Sequence, residues 1–289
     1  MLVLKDFMIM SEPFFSVVIP TYNRPIELKR AVNSIISQTF TDYEIIIVNN
    51  GDVPVENNYS SNKIIIAKEE KKGGNYARNT GINLAKGLYI CFLDDDDEYI
   101  DIHLNTLYNL ILSKNYELGL YKTLTKLENL SNNYIIQAFI PCPNQEARLE
   151  YAMKYLVFMA SVCLPRAIAF KYQFDPLITI AQDYHLWLRI LSDYPMFESP
   201  EATTICHYSI TSVSRPNKEK YLEYIKVYKT LFKIKSIGDR ISNRTKRDRI
   251  FRYYFWLYSE FKKELSFAEY LYVFFRMVYY KPKILFGIK

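Results

Sequence analysis

Short β-branched apolar runs that alternate with helical patterns are the feature that most constrains the fold of this chain. A helical pattern begins at Pro25, after the first run, and another covers Asn75 to Lys86 before the fourth. The four runs are Phe15 to Ile19, Glu44 to Val48, Lys63 to Ala67 and Leu88 to Leu93. This alternation predicts an α/β fold with a mixed, largely parallel sheet covered by helices on both faces.

Composition and charge predict one large domain followed by an extension. The chain has 289 residues and 49% hydrophobic content, which is enough for a sizeable core. Residues 216–289 hold 18 basic and 7 acidic side chains, a net charge of +11, so residues 1–215 carry about −5 of the total of +6. We therefore predict a domain over 1–215 and a basic, aromatic helical extension over 216–289.

Cysteine spacing and the N-terminal residues predict a cytoplasmic location. The four cysteines lie far apart, without the spacing of a zinc site, so reduced thiols are expected. The first residues lack the pattern of a signal peptide, and no window approaches 18 uncharged apolar residues. Neither secretion nor a membrane span is therefore expected.

Four consecutive aspartates, Asp94 to Asp97, directly follow the fourth apolar run. Clustered carboxylates repel each other, and burial at a strand end makes the repulsion worse, so a positive charge normally offsets them. Mg²⁺ and Mn²⁺ take oxygen ligands and keep positions open for phosphate oxygens. The run predicts a metal that bridges a diphosphate, and the alternative is a solvated acidic turn or helix cap.

Four segments, in this order and spacing, give the chain a resemblance to a known family. They are SVVIPTYNR, the strand EIIIV with its Asn-Asn-Gly-Asp end, GGNYARNTGINLAKGLYICFLDDDDEY and AQDYHLWLRI. Over residues 14–215 the chain resembles family 2 inverting glycosyltransferases of the GT-A fold. The resemblance implies a Rossmann-like domain with a nucleotide-sugar half over about 14–100 and an acceptor half over about 101–215.

The resemblance also implies the activity. Such enzymes move a sugar from a nucleoside-diphosphate sugar to an acceptor hydroxyl, usually in bacterial surface polysaccharide synthesis. A UDP-sugar is favoured here, although Asn49 and Asn50 stand where the family commonly has an aspartate that contacts the base. Asn50 is kept as a nucleotide contact, because an amide both donates and accepts hydrogen bonds.

Carried over by position, the resemblance places Pro20, Thr21 and Tyr22 around the base and ribose, with Tyr22 stacking on the base. Arg24 and Arg78 are the candidates to approach the diphosphate, since a planar guanidinium matches phosphate oxygens. Either arginine could instead pair with the aspartate run.

The family's DxD signature falls on the same aspartates. Asp94 and Asp96 match its outer positions, Asp96 being the direct ligand of Mn²⁺ or Mg²⁺ and Asp94 a second metal contact. Asp94 and Asp95 would face the ribose or a metal-bound water, and the four-fold repeat leaves the register open by one residue.

Asp183 matches the family's catalytic base, the carboxylate that takes the proton of the acceptor hydroxyl. The other interpretation is that Asp183 only caps the helix that begins beside it. His207 stands where some relatives have a residue near the diphosphate or the metal, but a structural role is favoured for it.

The extension is unusually aromatic, with 14 aromatic residues among residues 251–280. Basic amphipathic helices with Tyr, Trp and Phe suit the boundary of water and lipid. We expect either peripheral contact with the inner face of the plasma membrane or packing and homo-oligomerisation, and no nucleic-acid binding. The expected partners are a nucleotide-sugar donor and a glycan or lipid-linked acceptor. A catalytically inactive nucleotide- or glycan-binding member of the same fold, and a nucleotidyltransferase, are the alternatives.

Overall fold

A computed structural model gives the structure of the protein. It describes residues 12–281 except 57–58, 60, 129–133, 137–138, 156 and 208–216. The described residues belong to two compact units. The sheet unit comprises Met1–Ile140, Phe158–Pro176 and Pro195–Tyr208, and the helical unit comprises Pro141–Val157, Leu177–Tyr194 and Ser209–Lys289.

The described strands form one mixed sheet, in the spatial order β3-β2-β1-β4-β8-β6-β9-β5, with β7 paired to β6. Strands β1 to β4 are parallel to their neighbours within that group, whereas β4 and β8 are antiparallel. The predicted mixed α/β architecture is confirmed. The strands are β1 Phe15–Thr21, β2 Tyr43–Asn49, β3 Ile64–Lys68, β4 Tyr89–Phe92, β5 Glu98–Tyr99, β6 Leu120–Glu128, β7 Tyr134–Ile136, β8 Val162–Pro165 and β9 Met196–Cys206.

Strand β1 continues through Pro20 to Thr21, two residues beyond the end of the predicted run at Ile19. The carbonyl of Thr21 accepts the N–H of Asn50 on the β2 side. The backbone N–H and C=O groups of successive residues point alternately to the two neighbouring strands. The backbone of Pro20 therefore points to the other neighbour, β4. Pairing with β4 ends at Val18, so the N–H that proline lacks is not needed there.

Helices cover both faces of the parallel part of the sheet, as predicted. Side chains of α1 and α3 pack with Val17 and Ile19 of β1 in one buried cluster. On the opposite face α2 approaches β1 so closely that a Cβ on Gly81 would lie 2.3 Å from Val18 Cγ1. Only glycine allows this approach.

The described helices divide between the units, with α1, α2, α3 and α5 in the sheet unit and the other six in the helical unit. They are α1 Pro25–Ile36, α2 Gly74–Leu84, α3 His103–Ser113, α4 Arg148–Lys154, α5 Arg166–Lys171, α6 Gln182–Asp193, α7 Lys218–Leu231, α8 Lys235–Gly238, α9 Asn243–Phe261 and α10 Phe267–Tyr280. None of the described helices is both long and apolar enough to span a membrane.

The helical unit joins stretches that are far apart in the chain. Helices α4 and α6 pack with α7, α8 and α9. The sequence predicted a boundary between residues 215 and 216, which lies outside the described residues, so that boundary stays a prediction. Helix α6, which carries Asp183, belongs to the same compact unit as the C-terminal helices.

Candidate active site

The ends of β1 and β4 bring the predicted nucleotide residues and the aspartate run together. The Thr21 hydroxyl donates to Asp95 Oδ2 at 2.8 Å, and the backbone N–H of Tyr22 donates to the same oxygen at 3.3 Å. Arg24 Nη1 lies 3.2 Å from Asp95 Oδ1 and 2.7 Å from Asp96 Oδ2. Parallel neighbours end at the same edge of a sheet, which explains why residues about 70 positions apart meet.

The second predicted arginine reaches the run from α2. Arg78 Nη2 lies 2.6 Å from Asp94 Oδ1. The Arg78 side chain is largely buried, with its guanidinium 5.5 Å from the centre of the Phe174 ring. Both arginines therefore pair with aspartates in this structure, the alternative that the sequence left open.

Burial and mutual repulsion raise the pKa values of three members of the run, Asp95, Asp96 and Asp97. Burial raises the pKa of Asp95 to about 6, although the Thr21 hydrogen bond and the charge of Arg24 lower it. Burial and the charge of Asp94 raise the pKa of Asp96. Burial raises the pKa of Asp97 well above its usual range, and the charges of Asp94 and Asp96 add to the effect.

The carboxylates of the aspartate run could hold a hard divalent cation only together with oxygen atoms of a bound ligand. Among the described residues, no three His, Cys, Asp or Glu side chains are grouped to hold a metal ion by themselves. Mg²⁺ commonly takes one or two carboxylates and completes its shell with phosphate oxygens and water. Asp94 and Asp96 are the two more exposed members of the run. The raised pKa of Asp96 marks a carboxylate that a cation would stabilise.

The Tyr22 ring is open for stacking, because 52% of the residue is exposed. Lys72 Nζ lies 5.3 Å from the centre of that ring and 2.8 Å from Asp52 Oδ1. Sequence reasoning missed Lys72, and the signal that could have found it is the basic pair just before Gly73. This corner of the site therefore carries an exposed aromatic face with a cation beside it.

The amide of Asn50 holds a loop together. Its Nδ2 donates to the carbonyls of Glu69 and Lys71 at 2.8 Å, and its Oδ1 accepts the N–H of Gly73 at 2.7 Å. Asn49 likewise bonds to its own turn, donating to the carbonyl of Val53 at 2.9 Å. A direct contact of Asn50 with the base stays a prediction, and the structure adds a positioning role for the segment that begins α2.

His207 connects the aspartate run to two glutamates. Its backbone N–H donates to Asp97 Oδ1 at 3.1 Å. Its ring nitrogens lie 2.6 Å from Glu128 Oε2 and 2.6 Å from Glu98 Oε1. No local sequence pattern marks this link, because Glu98 of β5, Glu128 of β6 and His207, which follows β9, lie far apart in the chain.

A cavity of about 890 Å³ runs along α1 in the sheet unit. Thr21, Arg24 and Asn49 border it, together with Arg30 and Glu98. Two of the predicted nucleotide residues, Thr21 and Arg24, thus line this cavity.

Asp183 lies in the first turn of α6, in the helical unit. Its Oδ1 accepts the N–H of Tyr184 at 2.8 Å. The residue before the helix, Ala181, is in the left-handed region with φ of 52°, which is uncommon for a residue other than glycine. The structure thus shows Asp183 satisfying part of the helix start, and its role as base stays a prediction.

Comparison with known proteins identifies a family. The family model described as Glycosyl transferase family 2 matches residues 16–160. An Escherichia coli protein named UDP-Glc:alpha-D-GlcNAc-diphosphoundecaprenol beta-1,3-glucosyltransferase WfgD is 28% identical over 193 residues, which cover 64% of this chain and 72% of that protein. The amylovoran biosynthesis glycosyltransferase AmsB of Erwinia amylovora is 28% identical over 195 residues, covering 62% and 64% of the two chains.

A solved structure shows the same fold. S. aureus TarS 1–349 in complex with UDP-GlcNAc matches with a TM-score of 0.65 and 14% identity, covering 94% of this chain and 82% of that one. The resemblance to family 2 glycosyltransferases and the GT-A fold that it implied are both confirmed.

Proposed function

The chain belongs to glycosyl transferase family 2 and is a glycosyltransferase, and from that premise we propose that it moves a sugar from a nucleoside-diphosphate sugar to an acceptor hydroxyl, with inversion at the anomeric carbon. The observation that carries the proposal is one sheet edge where the exposed ring of Tyr22, two arginines and two partly exposed carboxylates converge. At that edge the Tyr22 ring would contact a flat base, the two arginines a diphosphate, and the two carboxylates a cation.

The donor is a UDP-sugar in this proposal. The Tyr22 ring would stack on the base, and the guanidinium groups of Arg24 and Arg78 would hold the diphosphate oxygens. Support comes from TarS, which was solved with UDP-GlcNAc, and from the E. coli relative, whose name gives UDP-Glc as its donor.

Asp96 and Asp94 would hold Mn²⁺ or Mg²⁺. When bound, the cation supplies positive charge against the leaving diphosphate. Arg24 and Arg78 already balance these carboxylates, so the same two arginines are close enough to turn to phosphate oxygens when a donor binds. Thr21 and Arg24 keep Asp95 in place under the ribose in this arrangement.

Asp183 would remove the proton of the acceptor hydroxyl as its oxygen attacks the anomeric carbon from the face opposite the diphosphate. Asp183 lies in the first turn of α6, where the helix dipole favours a negative charge. The left-handed turn at Ala181 supports this role, since backbone strain often accompanies functional positions.

The acceptor is a lipid-linked glycan in this proposal, made during bacterial surface polysaccharide synthesis. The E. coli relative is named for a diphosphoundecaprenol acceptor and the Erwinia relative for amylovoran biosynthesis. We propose that the enzyme works at the inner face of the plasma membrane and touches it through residues 216–289. Exposed aromatic side chains on α10 support this peripheral contact.

The test is a donor screen with the purified full chain. Nucleotide-sugars of uridine, guanosine and thymidine are added with Mn²⁺, and thermal unfolding reads which base binds. A ligand at 100 times its Kd stabilises the fold by about 2.7 kcal/mol. Release of UDP from the donor that binds would support transfer. Binding without any release would favour an inactive member, and pyrophosphate released from a nucleoside triphosphate would favour a nucleotidyltransferase.

A further inference from the structure

Three tyrosine rings of the helical unit form a stack that runs from its core to its surface. The rings of Tyr228 and Tyr253 lie 5.6 Å apart at 25°, and those of Tyr253 and Tyr224 lie 4.8 Å apart at 10°. Tyr228 and Tyr253 are buried, whereas Tyr224, at the end of the stack, is partly exposed. The outermost ring of the stack, Tyr224, is therefore partly exposed and packs against a buried ring behind it.

The buried end of the stack is fixed by a cation. The Arg249 guanidinium lies 5.3 Å from the centre of the Tyr228 ring and 5.4 Å from that of Tyr184. The Tyr184 ring meets the Tyr228 ring edge-on at 6.2 Å. Because Tyr184 is the residue after Asp183, the same packing that fixes the stack also fixes the start of α6.

The exposed end of the stack lies close to Asp183. The Thr179 hydroxyl, just before α6, donates to Glu223 Oε2 at 3.1 Å, which ties the neighbour of Tyr224 to this turn. Burial raises the pKa of Tyr224, and the Tyr253 phenol and the Asp183 carboxylate raise it further. The Thr179–Glu223 hydrogen bond and the edge-on contact of Tyr184 with Tyr228 place the part of α7 that carries Tyr224 beside the start of α6 that carries Asp183.

We propose that Tyr224 forms a sugar-binding subsite beside Asp183, where it receives the pyranose ring whose hydroxyl is the acceptor. Tyr253 is its positioning residue, because it holds the Tyr224 ring from behind. The inference rests on the proposed function, in which Asp183 is the base. The apolar face of a pyranose packs on an aromatic ring, while its hydroxyls turn to the polar groups around it.

The subsite also explains what the C-terminal helices contribute to the chemistry. Tyr224 comes from α7 and Tyr253 from α9, so the acceptor side of the reaction depends on residues beyond the family-2 match. If the stack only stabilised the fold, the Tyr224 ring would bind no sugar.

The experiment compares Tyr224→Ala, Tyr224→Phe and the full-length wild type. The donor is a UDP-sugar, and the acceptors are octyl glycosides of glucose, galactose and N-acetylglucosamine. Loss of the ring should raise KM for the accepted glycoside by about three- to tenfold, with KM for the donor unchanged. Tyr224→Phe keeps the ring and should restore the acceptor KM.

Tyr258→Ala is the matched control, since it removes another partly exposed tyrosine of the helical unit, which pairs with Tyr270, the two hydroxyl oxygens being 3.3 Å apart. It should leave both KM values unchanged. Saturation-transfer NMR measures binding of the same glycosides without turnover. Failure of every glycoside to bind the wild type, or an equal acceptor KM for Tyr224→Ala, would overturn the subsite. UDP release in that case would leave the proposed transfer itself standing.

Discussion

The burial of the four aspartates 94–97 follows the alternation of the chain. Asp95 and Asp97 point inward, to Thr21 and to the backbone N–H of His207. Asp94 and Asp96 are more exposed. Because a cation needs accessible oxygens, this alternation supports the proposal that Asp94 and Asp96 form the metal-binding pair.

Asp96→Ala should abolish transfer and the effect of Mn²⁺ on donor binding, while the fold persists. The reason is that the proposed cation would lose its main carboxylate ligand. Isothermal titration with UDP, with and without Mn²⁺, measures the coupling. Asp101→Ala is the control, since the Asp101 side chain is exposed and outside the site. Wild-type transfer that continues in excess chelator would refute the metal mechanism.

Asp183→Asn separates a catalytic role from a capping role. Asn keeps the size and the capping ability of Asp but lacks its basicity. If Asp183 is the base, the variant should bind donor normally and melt within a few degrees of wild type, yet lose on the order of 10²–10⁴ in transfer rate. Steady-state kinetics with a defined acceptor measure this loss.

Asp193→Asn, at the other end of α6, is the matched control and should transfer sugar at the wild-type rate. If Asp183→Asn keeps more than about a tenth of the wild-type turnover, Asp183 has no catalytic role.

Helix α10 is apolar on two sides. Val273 and Met277 are buried, whereas Phe267, Phe275 and Tyr279 are 78%, 63% and 67% exposed. The exposed residues are spaced by multiples of four, so they form one stripe along the helix. A stripe of aromatic rings within the basic extension 216–289 suits an anionic lipid surface.

Replacing Phe275 and Tyr279 together by Ser should therefore reduce flotation with anionic liposomes severalfold, because the stripe loses its apolar area. Phe170→Ser, which changes an exposed residue of α5, should float like wild type. Wild-type binding should weaken with salt. A double variant that floats like wild type, or a wild type that never binds and is dimeric by light scattering, would favour homo-oligomerisation instead.

The bounds of strands β1 to β4 could be predicted within two residues, because each strand reads as a short continuous apolar run. Two residues form β5, which pairs with β9 more than 100 positions away, so no local pattern marks it. The same distinction between local patterns and distant contacts applies to the candidate site. Residues at strand ends could be placed from the sequence, whereas Lys72 and the glutamates around His207 depend on contacts between distant segments.

At the scale of the whole molecule, α4 and α6 depend on the C-terminal helices. Glu150 of α4 accepts hydrogen bonds from Ser242 at 2.9 and 2.8 Å, and Arg240 donates to the carbonyl of Ser192 at 2.7 Å. Arg249 also donates to the carbonyl of Met153. These contacts fall inside the helical unit, so the extension is structural there as well as a candidate membrane surface.

A chain ending at residue 216 should consequently unfold at a temperature lower by at least about 10 °C, because α4 and α6 lose their packing partners. Hydrogen exchange should show faster exchange in α6 than in β1 to β4. A chain ending at Lys281 keeps every described helix and is the control. Equal melting of the two truncated chains would show that α6 does not need α7 to α10.

The grouping of α6 with the C-terminal helices has an evolutionary consequence. The proposed donor-binding residues lie in the sheet unit, whereas Asp183 and Tyr224 lie in the helical unit. Selection for a new acceptor can thus act on the C-terminal helices while the nucleotide pocket is inherited unchanged. Among descendants of one ancestor, we expect the sheet edge to diverge slowly and the surface of α7 and α9 to diverge with each new glycan.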